Sequence, residues 1–472
     1  MFRTFINAWR IVDLRKKLLF TALIILIYRI GSAMPVPFVD IAMRGDGLFG
    51  EAAAGTFVTY LSMMTGNAFN YGTLFALSIT PYISASIFIQ LLAVAIPYLQ
   101  NLSKEGEEGR QKMNKITRYS ALVLGLMQSI AYYFFIRSQD LLMTAANGKA
   151  FTGFWAVFQA IVVILCYTVG TAIVMWLGEL INEKGIGNGI SMILFAGIVA
   201  RMPTTIASLF QYLNLGGSKG QYYVLVPIAA IALIGMIFFI VWMDNAERKI
   251  PIQYAKRVVG RKMYGGQSTH MPIKVNMCGV LPVIFAGSIL SLLPTIAMFA
   301  PGKEGSFWYK LTTVWLGQTH PFYGTLYFLM IIFFAYFYAT IQYNPIDMAE
   351  NLRKNSGSIP GIRPGKPTST YIQNILNRLT LIGALLLSVV AMFPIVYSQL
   401  AGLLGAQMNL AIGGTSIIIM VGVALDTQKQ LESQMMMRHY KGFLDLFGGK
   451  WYELNPSRRT WRRKRYTGRK DL

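Results

Sequence analysis

The sequence predicts an all-α polytopic membrane protein, with ten transmembrane helices in two five-helix halves of opposite orientation. Three observations carry that prediction. First, the 472 residues are 54% hydrophobic and 13% charged, with a mean hydropathy of +0.47, which excludes an ordinary soluble domain. Second, crossing a hydrocarbon core of roughly 30 Å takes about 20 helical residues, and ten apolar runs approach or exceed that length. Third, the basic residues fall almost entirely in alternate connections between those runs.

The first run, 18–36, follows Arg15, Lys16 and Lys17 as a signal peptide would. Its apolar stretch is long and ends at MPVPF without a small-residue cleavage site, so it reads as a retained helix. Before the second run lies TFVTYLSMMTG, 56–66, apolar but too short to span, which suits a re-entrant element. The second run, 75–97, contains LFALSITPYISASIFIQLL, where Pro81 and small or hydroxylated residues replace uniform apolarity. Runs at 115–136, 153–178 and 187–206 complete the first half, the last of them beginning in GIGNGIS. NLGGSKG, 214–220, separates it from runs at 222–243, 276–298, 322–343, 374–396 and 407–426. An odd number of helices per half inverts the second half relative to the first. The chain thus divides into a half at 1–213, a half at 214–430 with long loops at 244–274 and 344–373, and a basic tail at 431–472.

Of the 43 lysines and arginines, 35 lie in the N-terminal tail, around 97–118, at Lys184, in the two long loops and in the C-terminal tail. Seven lie on the opposite side, and Arg29 lies within the first run. The positive-inside rule therefore places both termini and both long loops in the cytoplasm. A basic face serves topology and contact with anionic lipid, or docking of an acidic or nucleic-acid-bearing partner. The long loops favour a partner, because IQYAKRVVGRKMYGGQSTHMPIK and KNSGSIPGIRPGKPTSTY punctuate charge with turn residues that anchoring does not need. The final SRRTWRRKRYTGRKDL, with 8 basic residues in 16, reads as a lipid- or RNA-contacting arm.

Chemistry-bearing groups are sparse. Cys166 and Cys278 each sit in an apolar run, and His270, His320 and His439 show no ligand spacing. No phosphate loop, nucleophile elbow or paired-carboxylate pattern is present, so no catalytic residue, metal or cofactor is expected. The run centres are nearly free of charge: Glu179 and Asp426 fall at cytoplasmic ends, and Arg29, six residues before Pro35, is within snorkelling reach of the outer interface. An ion-coupled solute carrier with inverted repeats would need buried carboxylates, and a membrane enzyme would need a catalytic constellation. A passive conduit closed by an apolar constriction fits better, since rings of hydrophobic side chains gate by dewetting.

Ten ordered motifs give the chain a family resemblance: YRIGSAMPVP, ITPYISASIFIQLL, KEGEEGR, WLGELINEKGIGNGIS, YAKR, QSTHMPIKVNMCGVLP, NPIDMAENL, PGIRPGKPT, RLTLIGALLL and IGGTS. From about residue 10 to 430 the chain resembles the SecY family, the channel-forming subunits of the bacterial Sec translocon. The resemblance implies a clam-shell of two halves in the bacterial plasma membrane, passing unfolded secretory chains across it and releasing signal sequences and membrane helices sideways into lipid. It puts the pore ring on Ile79, Ile83, Leu194, Ile284 and Ile419. It puts a plug on about 57–70, including Phe57, Leu61, Met64, Gly66 and Asn67, and lateral-gate polar groups on Ser84, Gln128 and Asn276. Partner docking falls on Lys256, Arg257 and Arg363. The implied partners are the small subunits SecE and SecG, the SecA motor ATPase, the translating ribosome, signal peptides and nascent chains, with anionic lipids around them. Energy for transport would come from the motor and the ribosome. The chain departs from the family pattern in PVPF at the end of the first run, Leu194 in the ring, GNAF in the plug, and the basic extension beyond about 445.

Overall fold

A computed structural model of the chain describes residues 2–39, 65–138, 141–143, 153–215, 220–254, 257–259, 262–264, 268–299, 307, 310–315, 320–403 and 414–454. Among the described residues a helix overlaps each of the ten predicted runs. The helices are α2 (Val12–Gly31), preceded by a short α1 (Phe2–Arg10), then α3 (Thr80–Ala95), α4 (Pro97–Lys104), α5 (Glu107–Ser138), α6 (Phe154–Lys184) and the consecutive pair α7 (Gly189–Ala200) and α8 (Met202–Leu215). The second half contributes α9 (Tyr222–Asn245), α10 (Leu281–Phe299), α11 (Pro321–Gln342), α12 (Pro345–Lys354), α13 (Lys366–Leu403) and α14 (Gly414–Leu454). Among the described residues six stretches are long and apolar enough to cross a membrane: 107–137, 154–184, 189–214, 222–245, 321–354 and 366–402. Thr80–Ala95 and the start of α10 are shorter apolar helices.

Local signals explain where the helices begin. Asn188 caps α7, its side-chain oxygen accepting from the amides of Ile190 and Ser191 at 3.1 and 3.5 Å. Asn344 does the same for α12 through Ile346 at 3.1 Å, with Pro345 in the first turn. Losing the Asn188 cap is expected to cost about 1 kcal/mol. Asn188→Ala should therefore lower the unfolding temperature of the purified protein, and an unchanged temperature would show that the cap adds nothing.

Several boundaries differ from the sequence expectation, and two helix starts have a clear local cause. The second run is helical only from Thr80, because Pro81 fits the first turn of a helix and not its interior. Residues 65–79 instead form successive turns, with Ser78 at a φ of +46° and bonds such as Thr73 N to Ala68 O at 3.2 Å. The helix of the seventh run starts at Leu281, just after Gly279 at a φ of +60°.

Within the long loop at 244–274 the described residues form antiparallel strands. β1 (Glu247–Tyr254) pairs antiparallel with β4 (Ser268–Lys274), Glu247 opposite Lys274 and Gln253 opposite Ser268. Beyond it β2 (Arg257–Val259) pairs with β3 (Lys262–Tyr264). The other edge of β1 takes β5 (Gly357–Ser358), so the two basic loops form one sheet. Ile250 and Ile252 alternate inward and pack with Ile273 against Ala349 and Leu352 of α12 and Ile372 and Leu376 of α13. That core fixes the height and direction of both loops above the membrane helices.

Candidate functional site

The largest buried cluster draws aliphatic side chains from helices of both halves. Within it lie Ile79, which caps α3 and is 1% exposed, Leu194 of α7, Ile284 of α10 and Ile419 of α14. Ile83, one turn into α3, is half-buried and packs on the same cluster. All five ring positions expected from the resemblance lie in or against this one large cluster. Leu194, Ile284 and Ile419 also line one cavity of about 560 Å³, shared with Asn188, Asp244, Asn276 and Lys429. Three aliphatic groups from three helices thus meet at a cavity that is otherwise partly polar. None of the three side chains can hydrogen-bond water.

The chain leading into α3 is held firmly at one end. The Tyr132 hydroxyl of α5 donates to Phe69 O at 2.5 Å, and the Tyr167 hydroxyl of α6 donates to Gly72 O at 3.0 Å. The rings of Phe69, Tyr132 and Tyr167 follow one another at centroid distances of 4.6 and 5.0 Å. Gly66 and Asn67, the plug positions among the described residues, have φ of +65° and +75°. A Cβ on Gly66 would approach Gly197 O of α7 to 2.8 Å and the Arg29 guanidinium to 2.9 Å, so the backbone here passes tightly between α7 and α2. Phe57, Leu61 and Met64 lie outside the described residues.

Arg29 does not behave as the expected interface anchor. Its guanidinium turns inward against Gly66, and Nη1 is buried with no hydrogen-bond partner among the described residues. A long flexible side chain can follow either path, and here the inward one brings it against the backbone at Gly66.

The three gate candidates are not drawn into one polar cluster. Ser84 on α3 and Gln128 on α5 are half-buried, and α5 packs against both α3 and α10. Asn276, in the turn before α10, donates from Nδ2 to Asp244 Oδ1 at 2.7 Å. Sequence reasoning missed Asp244. The available signal was an acid one residue from the end of an otherwise apolar 24-residue helix. Arg118 of α5 forms an ion pair with Glu179 of α6.

Of the docking candidates, Arg363 is exposed between Gly361 and Gly365, whose φ of +81° and +105° only glycine adopts readily. Its carbonyl accepts from Thr368 Oγ1 at 2.8 Å, and neighbouring Ile362 packs on the loop core. The guanidinium is thereby presented on a rigid tip. Arg257 starts β2 opposite Tyr264, and Lys256 lies outside the described residues. Among the described residues no three His, Cys, Asp or Glu side chains gather as a metal site would require.

The SecY family model matches residues 73–428. The protein translocase subunit SecY of Streptomyces galbus is 42% identical over 458 residues, covering 94% of this chain and all of that one. SecY of Mycobacterium tuberculosis is likewise 42% identical over 458 residues with the same coverage. The fold matches a protein-conducting channel with a TM-score of 0.59 at 18% identity, over 89% of this chain and 92% of that chain. It also matches the canine Sec61 of a ribosome-channel complex with a TM-score of 0.57 at 19% identity, over the same shares. A family model covering most of the chain, and translocase subunits aligned over nearly its whole length, establish that this chain belongs to the SecY family of protein translocase subunits.

Proposed function

We propose that the chain forms the pathway of a protein-conducting channel in the bacterial plasma membrane, with both termini cytoplasmic, and that Leu194, Ile284 and Ile419, with Ile79 and Ile83 of α3, form its constriction. The convergence of these aliphatic side chains, three of them on one cavity, carries this reading. A ring without hydrogen-bonding groups grips no particular sequence, so it admits an extended chain of any composition while excluding water when idle. The segment around Gly66 is the hinge end of a plug, pinned by Tyr132 and Tyr167 so that displacement is confined to the residues before it. Ser84, Gln128 and Asn276 belong to the seam of a lateral gate between the halves. Polar contacts within a membrane bundle contribute about 1 kcal/mol or less each, weak enough for an apolar signal helix to displace.

The single sheet joining the two basic loops supports docking of the SecA motor and the translating ribosome on Lys256, Arg257 and Arg363, with SecE and SecG as small membrane partners and anionic lipid around the basic face. Channels of the same fold include the canine Sec61 in its ribosome complex. Purified complex in sealed vesicles, given SecA, ATP and a secretory precursor, should carry that precursor into a protease-protected lumen. Vesicles that bind precursor but protect none of it would refute the reading.

Arg363 lends itself to a sharper test. A guanidinium on a rigid tip suits bidentate contact with a carboxylate or phosphate. Arg363→Glu is therefore expected to cost about 2 kcal/mol of docking, roughly thirtyfold in affinity, with the fold intact. Binding of SecA or ribosomes to variant vesicles measures this. Wild-type affinity for both would show that the tip serves only to anchor the loop.

A further inference from the structure

The helix α1 has a face that the channel reading leaves without a role. One side of it is fixed to α14: Ala8 is buried with Leu431, and the Thr4 hydroxyl donates to Glu432 Oε1 at 3.2 Å. Glu432 also accepts from Gln428 at 2.9 Å, and these two hydrogen bonds, that of Gln428 foremost, hold its carboxyl below the usual carboxylate range. The other side is apolar and bare. Phe5, Ile6 and Trp9 share a helical face, and Ile6 and Trp9 are 55% and 50% exposed.

That face continues into a longer stripe. Val12, Leu19, Leu23, Leu26 and Ile30 of α2 recur at helical spacing and are each more than half exposed, as the lipid-facing side of a membrane helix should be. Val12 sits at the end nearest Trp9, and the chain turns between them through the Ile11 N to Ala8 O bond at 3.1 Å. Exposed apolar residues therefore lie on both sides of this turn, along α2 and on α1. Exposed Arg10, Arg15 and Lys16 cluster at this bend. A short helix with aromatic and aliphatic residues on one side and cations at its border is built to lie in a membrane interface.

We propose that α1 is an in-plane anchor whose Phe5, Ile6 and Trp9 enter the headgroup-acyl boundary of the cytoplasmic leaflet, with Arg10, Arg15 and Lys16 selecting anionic lipid. This rests on the reading of the chain as a membrane channel. Each cation near an anionic surface adds about fivefold to the attraction, so three of them make lipid charge decisive for how deep the helix sits. Because the opposite side of α1 is bonded to α14, the anchor holds the cytoplasmic extension of the helix that carries Ile419.

Nitroxide labels on Ile6→Cys and Asn7→Cys test this, each in the full complex with Cys166 and Cys278 replaced by alanine. The complexes are placed in bilayer discs of phosphatidylcholine alone or mixed with phosphatidylglycerol. The Ile6 label is expected to be open to oxygen and closed to a water-soluble nickel chelate, more so with phosphatidylglycerol, while the Asn7 label shows the opposite preference. Equal nickel access at both positions would place α1 in water and overturn the proposal. An Ile6 label shielded from both quenchers would mean that protein covers the face, which also overturns it. A depth unchanged by phosphatidylglycerol would overturn the choice of anionic lipid. Precursor transport by the same complexes reports separately on the channel reading.

Discussion

Exchanging Leu194 for asparagine and both Ile284 and Ile419 for threonine should open the idle channel to ions. Asparagine keeps the branched outline of leucine and threonine keeps the β-branch of isoleucine with one heavy atom fewer, and each brings a group that binds water into the proposed constriction. Lowering the barrier for an ion by roughly 1.4 kcal/mol raises conductance about tenfold, and three rehydrated positions should reach at least that. Conductance of planar bilayers containing the purified complex gives the answer. The same change at Leu381, an exposed residue of α13, should leave the idle channel tight. A triple variant as tight as its parent would show that these side chains pack the interior without forming the seal.

Replacing Gly170 by valine should prevent the folded complex from accumulating. A Cβ at this position of α6 would lie 2.1 Å from Leu74 O, in the turn segment before α3, and the obstacle is backbone, which cannot rotate away. From the other side Gly31 of α2 meets the Phe75 ring, itself stacked on Tyr28 at 5.9 Å. Residues 74 and 75 are thus held between two helices at glycine contacts, and Ile79 takes its place from there. Overpacking against fixed backbone costs about 3 kcal/mol or more, a large part of the stability of most proteins. Yield and unfolding temperature of the detergent-solubilised complex read this directly. A variant with parental values would mean that α6 and the turn segment are free to separate.

The sequence revealed these features unequally. Apolar runs are long and polar loops are basic, so helix positions were readable from hydropathy and charge alone. The proposed ring could not be read that way, because an isoleucine in a membrane helix looks the same whether it faces lipid or pore. Ile284 and Ile419 were identified through motif position, and their meeting on one cavity is a property of helix packing. The short strands escaped notice because basic residues surround them, although Ile250 and Ile252 in ERKIPIQY carry the period of two. Nor did any local signal announce that β5, a hundred residues later, would pair with β1. Arg29 shows the same limit: its choice between the interface and Gly66 depends on a backbone approach that composition does not encode. Asn276 is a gate candidate by motif position, and its partner Asp244 lies 32 residues earlier in the chain.

The central claim is that a translocating chain passes through the constriction, and site-directed crosslinking tests it most directly. Cysteines are placed singly at Ile83 and Ile284 with Cys166 and Cys278 replaced, and a precursor carrying one thiol is stalled part-way across the membrane. Disulfide adducts should form at both positions when the precursor thiol is at membrane depth, and should be absent when it lies well before or beyond. Cysteines at these positions that react only with lipid-soluble reagents, and never with the stalled chain, would place both residues outside the pathway and contradict the account.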